Sequence, residues 1–139
     1  MRISRHEMLM EIAYVVAKRS TCHRLKVGAV LSLDGRVVSI GYNGSRPGHA
    51  HCRPETCNQE HSCTRTIHAE RNALDWARLQ GVEDFSNMVL YITDSPCQSC
   101  AEYIAQAGIR VVYYSREYRL TDSIEWLRQN NVQVSQLPK

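Results

Sequence analysis

No apolar stretch in this chain of 139 residues is long enough to cross a bilayer, and its N-terminus lacks the apolar core of a signal peptide. A cytoplasmic protein with no membrane partner is therefore expected. Basic runs and basic arms are also missing. A net charge of +3 with a pI near 8.6 suits a phosphorylated small molecule but leaves no electrostatic footprint for nucleic acid, which is not expected as a partner. The sequence has no internal repeat or low-complexity segment, which leaves out repeat architectures and linker-joined arrays.

What remains is an ordinary globular composition, 43% hydrophobic, on a chain sized for one folded domain over residues 1–139 and too short for a second. Six cysteines allow three disulfides in principle. Without a secretory signal, reduced thiols are the better reading, and two of the six have a different use.

Ser4 and Glu7 form a capping box ahead of Met8, Ile12 and Val16, so the spacing predicts an amphipathic helix over 5–19. Two apolar runs, 27–33 and 36–42, meet at Asp34-Gly35, a strong hairpin signal. Helix and strand patterns then alternate: helix 67–80, strand 88–93, helix 96–107, strand 109–114, a last helix capped by Thr121, and a short strand near 132–134. Such alternation implies an α/β fold with helices on both faces of a largely buried sheet. Residues 43–65, rich in Gly, Pro, His and Cys, form the one irregular stretch, and loops of that length are usually functional or metal-braced.

The chemistry gathers at His68-Ala69-Glu70 and Pro96-Cys97-Gln98-Ser99-Cys100. One imidazole and two thiolates give zinc three protein ligands and leave the fourth tetrahedral position open, which marks a catalytic rather than a closed structural site. Zinc held this way lowers the pKa of a bound water to about 7. Glu70, two residues after the His68 ligand, is placed to take that proton and pass it on as a general acid–base group. Ser95, Pro96 and Gln98 read as N-cap, N1 and N3 of a helix, which puts both cysteines in its first turn, where exposed amides favour thiolate. Thr64 or Thr66 would similarly cap a helix opening near His68 and stopping at Gly81. A lone Cys-x-x-Cys fits a redox or structural pair equally well, but the added His-x-Glu and both caps select a catalytic zinc.

His-x-Glu followed by Pro-Cys-x-x-Cys is the signature of the zinc nucleobase deaminases. Other motifs accompany it: Thr21-Cys22-His23-Arg24 before Val27-Gly28-Ala29-Val30, Gly41-Tyr42-Asn43-Gly44, His51-Cys52, Cys63-Thr64-Arg65-Thr66-Ile67, and Ser95 ahead of Pro96. Over about residues 10–118 the chain resembles the cytidine deaminase superfamily, and more closely the deoxycytidylate (dCMP) deaminases of bacteria and phages. The resemblance implies a three-layer α/β/α cytidine deaminase-like domain with a five-stranded mixed sheet, hydrolysing dCMP to dUMP and ammonia for thymidylate synthesis. It also implies a homo-oligomer, commonly a hexamer, activated by dCTP, inhibited by dTTP, and with magnesium accompanying the regulatory nucleotide.

For substrate binding the resemblance implies Arg24 as a phosphate contact, a role that suits a guanidinium, with Lys26 as the weaker candidate. It implies Asn43 on the sugar or base, since an amide donates and accepts at once, although Asn-Gly is also a frequent turn pair. Ala69 would offer its backbone to the base, Ser95 belongs to the same set, and Tyr118, slightly ahead of Tyr114, would close its hydroxyl on the nucleotide. Four cysteines lie outside the catalytic trio. Structural zinc sites take four Cys or His ligands, and a phage member of the family carries an additional zinc in this region, so a second, structural zinc is expected with Cys22, Cys52, Cys57 and Cys63 as first choice. His49, His51 and His61 are competing donors, and spacing does not settle among them.

Three other activities compete. Use of dCTP would present a phosphate to the same arginine. A tRNA adenosine deaminase shares the catalytic ligands but needs a basic surface for flanking nucleotides, and free cytidine deaminases typically place cysteine at the position of His68. A zinc-bound scaffold without turnover has no use for Glu70.

Overall fold

The computed structural model describes residues 2–22, 25–45, 66–117 and 122–138. Ser4 opens α1 (Arg5–Ala17) by accepting a hydrogen bond from the Glu7 backbone N–H at 3.0 Å, the N-cap half of the expected capping box, and the Glu7 carboxylate lies 3.4 Å from the Ser4 hydroxyl, which donates to it. The hairpin also forms where predicted. β1 (Gly28–Leu33) and β2 (Arg36–Tyr42) are joined by Asp34 and Gly35, both at positive φ (52° and 78°), the type I′ geometry whose twist matches the flanking strands.

Two short strands, β3 (Gly44–Ser45) and β4 (Thr66–Ile67), form an antiparallel ladder of their own with Gly44 opposite Ile67. Two residues carry no readable periodicity, so this pairing is invisible to pattern reading. It brings the Gly-Tyr-Asn-Gly segment beside the entry to α2 (Ala69–Leu79). Next come β5 (Met88–Asp94), α3 (Gln98–Ala107), β6 (Val111–Arg116), α4 (Asp122–Gln129) and β7 (Gln133–Gln136). The main sheet has the order β2-β1-β5-β6-β7, antiparallel across β2, β1 and β5 and parallel across β5, β6 and β7. It is the expected five-stranded mixed sheet.

Alternation along each strand divides the core. Ala29, Leu31, Leu90, Ile92 and Val112 pack with α2, α3 and α4, whereas Val30 and Tyr91 pack under Leu9, Met10 and Ala13 of α1. Three layers result. Gly41 lets α2 lie directly on β2, since a Cβ there would fall 2.3 Å from the Ala69 carbonyl oxygen and 2.5 Å from the Ala73 nitrogen. No helix among the described residues is long and apolar enough to cross a membrane.

Both helix entries at the signature motifs differ from expectation. The helix drawn over 96–107 begins at Gln98 with Cys97, not Ser95, as its N-cap. Ser95 stays extended because its N–H donates to the Arg116 carbonyl at 2.8 Å, carrying the β5–β6 ladder past the strand end, and the Pro96 carbonyl accepts from the Ser123 hydroxyl at 2.6 Å. Likewise α2 is capped by His68 itself; Thr66 belongs to β4, and Thr64 and Thr121 lie outside the described residues. The stop signals hold, with Gly81 and Gly108 both left-handed, at φ 100° and 94°.

Candidate metal centre and catalytic site

β5 delivers the chain to α3 at its C-terminal end, beside the C-terminal end of its parallel partner β6, the usual place for a site in sheets of this kind. The β3–β4 ladder delivers it to α2 alongside. Two N-caps therefore meet: the His68 Nδ1 lies 3.0 Å from the Cys100 sulfur and 3.5 Å from the Cys97 sulfur. All three candidate ligand atoms fall within 4.8 Å of one another, a cluster found nowhere else among the described residues. Tetrahedral zinc with Zn–S of about 2.3 Å and Zn–N of about 2.0 Å sets its ligand atoms about 3.5 Å apart. The donor set and its spacing fit zinc.

The two sulfurs differ in their protonation. Cys97 is held well below the ordinary thiol range, chiefly by a hydrogen bond from the Cys100 thiol and further by His68 and the Ser99 hydroxyl. Cys100 is pushed up, because it is the donor of that bond and is buried. A cation held by both sulfurs would favour both as thiolates.

Glu70 sits in the first turn of α2, only 4% exposed. Burial raises its pKa from 4.5 to about 7; its own backbone N–H and the charge of His68 pull the other way, while Cys97 and Asp94 add to the rise. That value suits a group that takes and gives a proton near neutrality.

Of the expected substrate contacts, Asn43 is 8% exposed and committed to the backbone of the segment before β1: its Oδ1 accepts from the Val27 N–H at 2.8 Å and its Nδ2 donates to the Leu25 carbonyl at 2.6 Å. One amide proton and one lone pair remain for a ligand. Lys26 stands exposed at the crest of that braced segment. Ala69 is wholly buried and is the first residue of α2, so its N–H has no partner within the helix. Ser95 is buried. Tyr114 is buried too, its hydroxyl 3.4 Å from the Glu117 carboxylate. Arg24 and Tyr118 lie outside the described residues. So do Cys52, Cys57 and Cys63 and the histidines at 49, 51 and 61, whereas Cys22 is buried, is a free thiol, and donates its backbone N–H to the Ser20 hydroxyl.

Residues 3–116 match the family described as the cytidine and deoxycytidylate deaminase zinc-binding region. The chain belongs to this family. The His68, Cys97 and Cys100 group, whose spacing fits zinc, thus occurs in a zinc-binding deaminase family, and the sheet and helices are those of a cytidine deaminase-like fold. A dCMP deaminase from the cyanophage S-TIM5, solved in complex with dCMP and dUMP, is similar over 99% of both chains with a TM-score of 0.85 and 36% identity. The deoxycytidylate deaminase of Mycobacterium phage D29 is 38% identical over 80% of this chain and 94% of its own length. ComE operon protein 2 of Bacillus subtilis is 43% identical over 85% of this chain, which spans 62% of that relative's length.

Sequence reasoning passed over Asp94 and Arg116. Asp94 is 3% exposed and is clasped by Arg116, whose Nε lies 2.8 Å from Oδ1 and whose terminal nitrogen lies 3.0 Å from Oδ2. A charge ending the apolar strand Met-Val-Leu-Tyr-Ile-Thr was the available signal.

Proposed function

We propose that this chain is a single zinc-dependent nucleotide deaminase domain, residues 1–139, that hydrolyses dCMP to dUMP and ammonia and so supplies dUMP for thymidylate synthesis. The observation that carries the reading is Glu70, a buried carboxyl in the first turn of α2, two residues after His68 of the His68, Cys97 and Cys100 donor set. The likeness over 99% of both chains to a phage enzyme solved with dCMP and dUMP supports the substrate.

His68 through Nδ1 and the sulfurs of Cys97 and Cys100 hold the zinc. When bound, the metal supplies the Lewis acidity that makes a water nucleophilic near neutral pH. Glu70 would accept a proton from the attacking water as the C–O bond forms at C4 of the cytosine, and pass that proton to N3. The remaining hydroxyl proton then goes to the amino group by way of Glu70, the C4–N bond breaks, and ammonia leaves with dUMP as the other product. Burial keeps Glu70 away from bulk water, so the proton it accepts goes to substrate. Ala69 presents its backbone to the base, Ser95 lines the same end of β5, and Asn43 reaches the nucleotide with the hydrogen-bonding capacity that the 25–27 segment leaves it. Arg24, with Lys26 as second cation, takes the phosphate, and Tyr118 closes on it.

The finer features belong to the same proposal and rest on family resemblance: a second, structural zinc on Cys22, Cys52, Cys57 and Cys63, a hexameric assembly, activation by dCTP with magnesium, inhibition by dTTP, and a cytoplasmic location. Deamination of dCMP, dCTP, deoxycytidine and cytidine, followed side by side by ultraviolet absorbance at equal concentrations, tests the reading. Preference for dCMP supports it. Preference for dCTP would move the substrate assignment, and activity on none of the four, with zinc bound, would send the search to tRNA adenosine.

A further inference from the structure

We propose that Asp94 and Arg116 form a positioning clamp that sets the Ser95–Cys97 loop, and through it the Cys97 sulfur, against His68. The inference rests on the deaminase reading for its kinetic readout alone. Asp94 and Arg116 are paired in register at the last rungs of the parallel strands β5 and β6. Their side chains meet through two nitrogens and two oxygens, at 2.8 and 3.0 Å, the bidentate geometry that fixes orientation as well as distance.

The clamp ties β1 and α1 to this end of the sheet. The Gly28 N–H, opening β1, donates to the Thr93 hydroxyl at 3.1 Å, and that hydroxyl donates to Asp94 Oδ2 at 2.9 Å. The Arg116 guanidinium lies 5.4 Å from the ring centroid of Tyr14 in α1, and the Tyr14 hydroxyl donates to Ser115 at 2.7 Å. The Arg116 main chain meanwhile receives the Ser95 N–H. One residue thus holds the strand end by its side chain and the first loop residue by its backbone.

Stability alone explains this arrangement poorly. The Arg116 side chain is 50% exposed, and a pair with one solvated partner contributes little to folding, while desolvating the Asp94 carboxylate is costly. An uncharged residue would end the strand more simply. What a bidentate pair adds is a fixed angle between β5 and β6, three residues before the Cys97 ligand. Displacements of about 1 Å at a reacting centre cost on the order of a hundredfold in rate.

The test compares Asp94→Asn, Arg116→Lys and the double variant with the native chain. It reads kcat and KM for dCMP, the visible spectrum of each chain loaded with cobalt in place of zinc, and thermal stability. The clamp predicts a fall in kcat of on the order of ten- to a hundredfold with KM changed less than about threefold, shifted cobalt bands, and a double variant no worse than the worse single one. Native kcat and native cobalt bands with only a lowered melting temperature would overturn it, as would a rise in KM alone, which would make Arg116 a phosphate contact. If Asp94→Asn fails to fold, the half-exposed Arg116→Lys carries the comparison. If the native chain leaves dCMP untouched, the deaminase reading fails while the cobalt spectra still decide the clamp.

Discussion

His68 and Cys97 occupy equivalent places in two different helices: each is the N-cap, at φ/ψ of −73°/152° and −74°/170°, and each turns its donor atom toward the other. An N-cap serine, threonine or aspartate would direct its oxygen at the N–H groups of its own helix. Here the cap side chains face a common centre, and the two first turns are drawn together around it.

Replacing a ligand by a good capping residue should therefore separate folding from metal binding. His68→Asn is expected to leave the metal-free chain as stable as the native one or more so, by up to about 1 kcal/mol, while sharply weakening zinc uptake. Urea unfolding after chelation and metal analysis after reloading check the two halves. A His68→Asn chain that still binds one zinc at the native affinity would remove His68 from the ligand set.

Glu70→Gln keeps the volume and the burial of the side chain and removes its ability to move a proton. Zinc content and fold are expected to stay native while kcat for dCMP falls by about a thousandfold or more, the scale of a lost general acid–base group. Near-native turnover would contradict the proton path from Glu70 to N3 and the amino group.

Much of this was legible in the sequence, for identifiable reasons. Asp34-Gly35 announces its hairpin because Asp-Gly favours the type I′ turn, one of the two turns whose twist suits strands joined by two residues, and the His68, Glu70, Cys97 and Cys100 spacing carries its chemistry whatever the fold. The starts of α2 and α3 were not legible. Ser95 and Pro96 look like a helix cap locally, but the Arg116 carbonyl and the Ser123 hydroxyl claim them from β6 and α4, and such tertiary partners leave no mark in the local pattern. The Asp94–Arg116 pair escaped for the same reason: its members are 22 residues apart and meet only once β5 and β6 align.

The buried state of Glu70 predicts a pH dependence of folding in the metal-free chain. Below its unfolded value of 4.5 the carboxyl is protonated in both states and carries no penalty; as pH rises through the folded value of about 7, the stability conferred by keeping it neutral is lost. At about 1.4 kcal/mol per pH unit the loss sums to about 3 kcal/mol. Glu70→Gln cannot ionise. Its stability relative to the native chain should accordingly grow between about pH 4.5 and 7 and level off above, as read by urea unfolding after chelation, and a gap that is flat with pH would mean the carboxyl is not buried as described.

Gly41 is the point where β2 and α2 touch, so a single methyl group there tests whether the helix that carries Glu70 must lie on the sheet. In Gly41→Ala the new Cβ would meet the Ala69 carbonyl oxygen at 2.3 Å and the Ala73 nitrogen at 2.5 Å, both backbone atoms with no rotamer to yield. The helix has to lift. Overpacking of this kind typically costs 1–3 kcal/mol, and the lift displaces Ala69 and Glu70 relative to Cys97 and Cys100, which belong to a different helix. The expected result is a destabilised chain whose kcat for dCMP falls on the order of tenfold or more even well below its melting temperature. Lost stability with unchanged kcat would show that the first turn of α2 keeps its place by its own contacts with α3 and the ligands and does not depend on β2.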